Sequence, residues 1–149
     1  MKKTRLGPNV AGSWYPAGSD ELAERVDDCL GQPGEETAGA AAGQGRPFAL
    51  IAPHAGYGYS GAVAGRGFRH LRREGFARVL LLGPSHHAGF AGAAMPEAEV
   101  YVTPLGELPI DSAAVARLRD LPGLRVDDAP FRPEHCLEME IPFLQRTLE

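Results

Sequence analysis

Two histidines are the residues in this sequence best suited to metal binding or acid–base chemistry. His54 follows the apolar run over residues 48–52, and His86 follows the apolar run over residues 79–82. A neutral imidazole binds transition metals, and imidazole also gains or loses a proton near neutral pH. Two imidazoles facing one pocket would therefore make either a metal site or an acid–base pair.

The two apolar runs predict the strands that would position these histidines. Each run is short and continuous, which is typical of a parallel strand buried on both faces. A helix-like stretch over residues 62–73 lies between them. A right-handed βαβ crossover brings both strand ends to one edge of the sheet, where ligands of open α/β sheets bind. We therefore expect His54 and His86 to share a pocket.

Helices and strands alternate along the rest of the chain. Ser19 is expected to cap the first helix and Asp111 the third. The remaining apolar spacing predicts, in chain order, a helix over residues 20–30, a strand over 98–102, a helix over 112–119, a strand over 124–126 and a helix over 133–148. Residues 31–47 are rich in Gly, Ala and Gln and predict a mobile loop.

These elements predict a single α/β domain over residues 1–149, with a mostly parallel sheet flanked by helices. Only three or four strands are supplied, so a parallel edge would be left open. We expect another chain or a further segment to complete the sheet. When neither is present, we expect the protein to associate through this open edge.

The last predicted helix groups three polar residues away from its apolar stripe. Glu134, His135 and Glu138 occupy positions i, i+1 and i+4. They form either a solvated helix face or an acid–base cluster brought to the same pocket. Pro142 is expected to kink this helix.

Other patterns exclude several classes of protein. Residues 56–61 match the G-x-G-x-x-G pattern, but no carboxylate follows the next predicted strand, so dinucleotide binding is disfavoured. The net charge of −4 and the absence of a dense basic patch argue against nucleic acid. No apolar run approaches the ~20 residues needed to cross a membrane.

Cys29 and Cys136 lack the spacing typical of a disulfide framework, so we expect reduced thiols in a cytoplasmic protein.

Seven short segments together resemble the Memo family, whose microbial members are called AmmeMemoRadiSam system protein B. They occur in family order over residues 11–16, 52–57, 59–61, 82–87, 101–106, 134–138 and 142–143. The resemblance implies a three-layer fold similar to the LigB-like class III extradiol dioxygenases, with a metal pocket at the strand ends. It also implies that this chain is similar to the N-terminal half of a family member. The second half of the family supplies an Asp–His pair and a cysteine ligand that have no counterpart here.

The resemblance and the spacing together give the expected site residues. His54 and His86 match the family's metal-binding histidines, with Fe(II) as the expected ion and copper or zinc as alternatives. His135, which matches a pocket-lining histidine, and Glu138 are the expected catalytic residues. The expected pocket residues are Trp14, Tyr15, Tyr57, Ser85, His87 and Cys136, the last standing where the family has serine.

Three functions are consistent with this sequence. A non-haem iron or copper redox enzyme of dioxygenase type is placed first. A non-catalytic binding or accessory protein, working with a radical-SAM partner and a third component, is the main alternative. A metal-dependent hydrolase is the third. Whether the protein is an enzyme, and whether its ligand is a small molecule or a peptide, stay open at this point.

Overall fold

Four helices and five short strands form the part of the chain that the computed structural model describes, residues 4–32, 47–72 and 75–148. The strands are β1 (Arg5–Leu6), β2 (Ala93–Met95), β3 (Val100–Thr103), β4 (Gly106–Pro109) and β5 (Leu124–Val126). The helices are α1 (Ser19–Leu30), α2 (Ala62–Phe68), α3 (Ser112–Leu118) and α4 (Ile141–Thr147). Most of the loop predicted over residues 31–47 lies outside the described residues.

Two small sheets contain the strands. In the first, β1 pairs parallel to β3, and β3 pairs antiparallel to β4. In the second, β2 and β5 are parallel. The mixed α/β class with parallel pairing is therefore confirmed. The strand predicted over residues 98–102 is confirmed as β3, slightly further along the chain, and the strand over 124–126 is β5.

Helix α1 forms because its apolar residues recur on one face. Leu22, Val26 and Leu30 are fully buried, and Gly31 ends the helix with a positive φ of 70°. Ser19 is already helical, and Gly18 occupies the N-cap position without a side-chain cap, so the predicted Ser19 cap is wrong. Helix α3 does have its predicted cap, since the Asp111 carboxylate accepts a hydrogen bond of 2.8 Å from the backbone N–H of Ala114.

The single helix predicted over residues 133–148 is wrong in its first part. Residues 133–137 are not helical, a 3₁₀ turn follows at Glu138–Glu140, and only then does α4 begin. Pro142 lies in the first turn of α4. Backbone N–H groups in a first turn have no partner within the helix, so the lack of an N–H on proline costs no helical hydrogen bond there. Pro142 is therefore tolerated in the first turn of α4, and the predicted kink is wrong.

The two strands predicted to be buried on both faces are also wrong. Residues 48–52 and 79–82 belong to no strand, and several of their large side chains are exposed. The helix between them is largely as predicted, with a π-helical turn at Tyr57–Gly61, then α2, then a 3₁₀ turn at Arg69–Leu71. Apolar runs predict strands only where neighbouring strands supply backbone partners, and no described strand pairs with these two.

Two hydrophobic clusters form the core of the described residues. The main cluster joins α1, α2 and α4 around Leu22, Phe68 and Phe143. The second cluster joins the three-stranded sheet to the C-terminal segment through Tyr101 and Ile141. Among the described residues, none of the helices is both long and apolar enough to cross a membrane.

Candidate metal centre

Three histidines from distant parts of the chain converge in the structure. His54, His86 and His135 each place a ring nitrogen within 4.8 Å of the others. The ring centroids of His86 and His135 lie 4.8 Å apart with nearly parallel planes. The His54 centroid is 5.4 Å from that of His86 and 6.1 Å from that of His135. The structure thus brings together His54 and His86, as expected, and adds His135 to them.

Glu134 orients His86 through two hydrogen bonds. Its Oε2 accepts the backbone N–H of His86 at 2.6 Å, and its Oε1 lies 2.9 Å from His86 Nδ1. When Nδ1–H donates to this carboxylate, Nε2 keeps its lone pair and can bind a metal. The carboxylate therefore selects which nitrogen of His86 is free.

Glu134 also holds the segment that carries the third histidine. Its Oε1 accepts the backbone N–H groups of His135 at 2.8 Å and of Cys136 at 3.0 Å. Burial opposes ionisation of Glu134, but the hydrogen bonds from the His86 side chain and from the three backbone N–H groups outweigh it and lower the pKa to about 2. The carboxylate is therefore charged at neutral pH.

The surroundings of His135 favour its neutral form by lowering its pKa. Burial lowers the pKa of His135, and the neighbouring imidazoles of His86, His54 and His87 lower it further against the opposing charge of Glu134. Metal-bound histidine must be neutral, so the environment of His135 favours the form that an ion would need.

Cys136 offers a second donor set beside the first. His86, Glu134 and Cys136 also place one donor atom each within 4.8 Å of one another. The Cys136 thiol, however, donates a hydrogen bond to the Pro84 carbonyl, with a sulfur–oxygen distance of 3.1 Å. Burial, followed by the nearby Glu134, raises the pKa of this thiol to about 12. Since only the thiolate is a good ligand, the three histidines fit a cation better.

Two further expected residues lie at the edge of the histidine cluster. The rings of Trp14 and His135 have centroids 4.3 Å apart, and Trp14 remains partly exposed. The His87 ring is 6.0 Å from that of His135 and 6.4 Å from that of His86. Both side chains could therefore contact a molecule that approaches the cluster.

Glu138, an expected catalytic residue, is fully buried and bonded to the N-terminal segment. Its Oε2 accepts the backbone N–H of Asn9 at 2.8 Å. Its Oε1 accepts the backbone N–H of Val10 at 3.0 Å and the hydroxyl of Tyr15 at 2.6 Å. In the described part of the chain, Glu138 joins neither of the two donor sets. Its surroundings give it a role in fastening residues 9–15 to the core.

The other expected residues make structural contacts. Tyr15 is buried on Glu138, and Tyr57 is buried with its hydroxyl donating to the Met139 carbonyl at 2.8 Å. The exposed Ser85 hydroxyl donates to the Ala88 carbonyl at 2.7 Å. Glu134 is the residue left out of the expected site. The signal for it was its position next to His135, together with the need of a metal-bound histidine for a carboxylate partner.

Comparison with known proteins identifies the family. A family model described as Memo-like protein matches residues 7–149. Protein MEMO1 of Danio rerio is 38% identical over 144 residues, which cover 93% of this chain and 45% of that protein. The memo-1 homolog of Caenorhabditis elegans is 36% identical over 143 residues, covering 93% of this chain and 38% of the homolog.

The similarity extends to archaea. A MEMO1 family protein of Thermococcus kodakarensis is 33% identical over 147 residues, covering 95% of this chain and 47% of that protein. The chain thus spans about half the length of these relatives, or less. Because the family model matches residues 7–149, which is almost the whole of this chain, the chain belongs to the Memo-like protein family.

Proposed function

We propose that this protein binds a divalent transition metal ion through the imidazoles of His54, His86 and His135. The observation that carries the proposal is the convergence of three ring nitrogens within 4.8 Å. Imidazole suits iron, copper, zinc and nickel. Metal–nitrogen bonds of about 2.1 Å place neighbouring ligand atoms roughly 3.4 Å apart in a tetrahedral site. Small side-chain rotations would close the observed cluster to that spacing.

The hydrogen bonds around the cluster support the same proposal. The ionised Glu134 accepts from the Nδ1 side of His86 and from the backbone of His135. A carboxylate in this position fixes the orientation of a ligand histidine and makes it a stronger donor. Glu134 is thus the positioning residue of the proposed site, and the imidazoles are its ligands.

We take the ion to be Fe(II) and the protein to be an oxidoreductase, with copper as the alternative redox metal. Three protein ligands would leave coordination positions open for a substrate. A bound ion would supply Lewis-acid and one-electron redox chemistry at those positions. Trp14, whose partly exposed ring lies tilted against that of His135, and His87 would contact and orient a substrate there.

Metal binding is tested by anaerobic titration of Fe(II), and separately of Zn(II) and Cu(II), into the purified protein. The variants are His54→Ala, His86→Ala and His135→Ala. His70→Ala is the matched control, because His70 is exposed on the 3₁₀ turn after α2. We expect one ion per chain, at least tenfold weaker binding in each site variant, and unchanged binding in the control. Equal affinity in all four variants would reject the proposed site.

The redox proposal is tested on its own. Iron-loaded protein is supplied with a panel of catechols, and oxygen uptake is recorded. We expect uptake that is lost in His86→Ala and kept in His70→Ala. Stoichiometric iron binding without uptake on any catechol would reject this redox chemistry and leave the metal site intact.

A further inference from the structure

The loop that carries His86 belongs to no helix or strand of the fold. We call residues 82–86 the His86 loop. Two kinds of hydrogen bond fasten it to the segment before α4. Glu134 accepts the backbone N–H of His86, and the Cys136 thiol donates to the Pro84 carbonyl. The position of the His86 imidazole therefore depends on how closely this loop lies against that segment.

Gly83 lies directly against the segment before α4. A Cβ built on Gly83 would be 2.6 Å from the Cys136 sulfur and 3.0 Å from Cδ2 of Leu137. The φ of Gly83 lies outside the left-handed region, so the backbone conformation alone does not require glycine here. It is the Cys136 sulfur that excludes a side chain at position 83.

The Cys136 sulfur has little room to give way. Cys136 is 3% exposed, and its thiol donates to the Pro84 carbonyl with a sulfur–oxygen distance of 3.1 Å. Non-bonded atoms approach to about 3.5–4.0 Å, so a methyl group at position 83 would either move the loop by roughly 1 Å or rotate the thiol away from its acceptor. Binding sites tolerate displacements of only about 0.5 Å. Either change would loosen the loop that presents His86.

We propose that Gly83 and Cys136 are positioning residues of the metal centre. The missing side chain of Gly83 admits the sulfur, and the sulfur is hydrogen-bonded to the loop. This contact holds His86 at 2.9 Å from the Glu134 carboxylate and nearly parallel to the ring of His135. Neither Gly83 nor Cys136 binds the ion. The proposal rests on the three-histidine site proposed above, but the position of the loop can be measured without metal.

Amide hydrogen exchange in the metal-free protein, followed by NMR, measures how firmly the loop is held. The backbone N–H of His86 donates to Glu134 at 2.6 Å, so its exchange accelerates when the loop moves away. The variants are Gly83→Ala, Cys136→Ala and the two combined. Gly89→Ala is the matched control, because Gly89 lies three residues after His86 and no atom lies within 4 Å of a Cβ built there.

We expect exchange at His86 to be about tenfold faster in Gly83→Ala, with the amides of α1 unchanged, and to keep the wild-type rate in Gly89→Ala. The double variant should exchange no faster than Cys136→Ala, because removal of the sulfur makes room for the methyl group. Effects that simply multiply in the double variant would overturn the proposal. A Gly83→Ala rate equal to that of Gly89→Ala would also overturn it.

Cys136→Ser tests the hydrogen bond to Pro84 in a protein whose Gly83 is intact. A serine hydroxyl can still donate to this carbonyl, whereas alanine cannot. We expect the His86 amide to exchange faster in Cys136→Ala than in the wild type and to recover a rate close to the wild type in Cys136→Ser. Equal acceleration in both variants would overturn the positioning role of Cys136.

Zn(II) titration of the same proteins connects the loop to the metal centre. We expect about tenfold weaker binding in Gly83→Ala, the affinity of Cys136→Ala in the double variant, and recovery in Cys136→Ser. A loss in Cys136→Ser as large as in His86→Ala would make Cys136 a ligand and overturn the proposal. If the wild type takes up no Zn(II), the three-histidine site is rejected, and hydrogen exchange alone decides whether Gly83 and Cys136 position the loop.

Discussion

Glu134 and Glu138 are buried carboxylates that hold two different parts of the molecule. Glu134 accepts hydrogen bonds from the His86 side chain and from three backbone N–H groups around the histidine cluster. Glu138 accepts from Asn9, Val10 and Tyr15. The sequence places both glutamates near His135, but it cannot show that Glu134 bonds to His86 or that Glu138 bonds to residues 9–15, because those partners are distant in the chain.

Glu134→Gln should weaken metal binding. The amide cannot accept all the hydrogen bonds that the carboxylate accepts, and it no longer increases the basicity of His86. Loss of such a carboxylate partner costs about 10- to 100-fold in metal affinity. Zn(II) titration of Glu134→Gln against Glu97→Gln, an exposed glutamate, measures the effect. Equal affinities for the two variants would show that Glu134 does not position the site.

Glu140 should make the folded protein less stable as the pH rises. Its Oε2 has no hydrogen-bond partner among the described residues, and burial raises the pKa to about 7. The folded state therefore binds the Glu140 proton more tightly than the unfolded chain does. The tighter proton binding adds to the free energy of unfolding, and this addition is on the order of 3 kcal/mol. It is fully present below the ordinary glutamate pKa and is lost as the pH rises through about 7.

Glu140→Gln should remove this pH dependence, since the amide stays neutral. Thermal unfolding between pH 4.5 and 8 is expected to show a falling midpoint for the wild type. The variant should keep a flatter profile and be the more stable protein at pH 8. Parallel profiles for both proteins would mean that Glu140 ionises normally in the fold.

At the scale of the elements, α1 and α2 approach each other closely at Gly65. A Cβ at Gly65 would lie 2.2 Å from the carbonyl oxygen of Cys29, which is backbone and cannot rotate away. This contact sets the distance between α1 and α2. Helix α2 follows His54 in the chain through the π-helical turn at Tyr57–Gly61.

Gly65→Ala should therefore destabilise the protein although alanine favours helices. Overpacking of this kind costs about 1–3 kcal/mol, and more where the backbone must move. Gly58→Ala is the control, because no atom lies within 4 Å of a Cβ built there. Chemical denaturation of both variants measures the difference. A Gly65→Ala protein as stable as Gly58→Ala would contradict the close packing of α1 on α2.

The elements also show where pattern-based prediction succeeds and fails. Helix α1, the Asp111 cap and β5 are predicted correctly, because local spacing and capping chemistry determine them. Residues 48–52 and 79–82 have the composition of buried strands, but a strand forms only with a backbone partner, which is a long-range property. Strands β2 and β4 were not predicted, because their short sequences carry no strong apolar pattern.

At the scale of the whole molecule, the histidine cluster joins three separated segments. His54 follows the first exposed apolar segment, His86 follows the second, and His135 lies in the irregular stretch before α4. The meeting of His54 and His86 could be predicted, although the strands invoked for it are absent from the described residues. The addition of His135 depends on Glu134, which bonds to both histidine segments.

X-ray absorption spectroscopy of the metal-loaded protein tests the central claim most directly, because it identifies the atoms bound to the ion. With Zn(II), the account predicts imidazole nitrogens at about 2.0–2.1 Å, with one fewer in His135→Ala, and no sulfur neighbour. A sulfur neighbour at about 2.3 Å would instead place Cys136 in the site. That result, or a spectrum with no imidazole scattering, would contradict a centre formed by His54, His86 and His135.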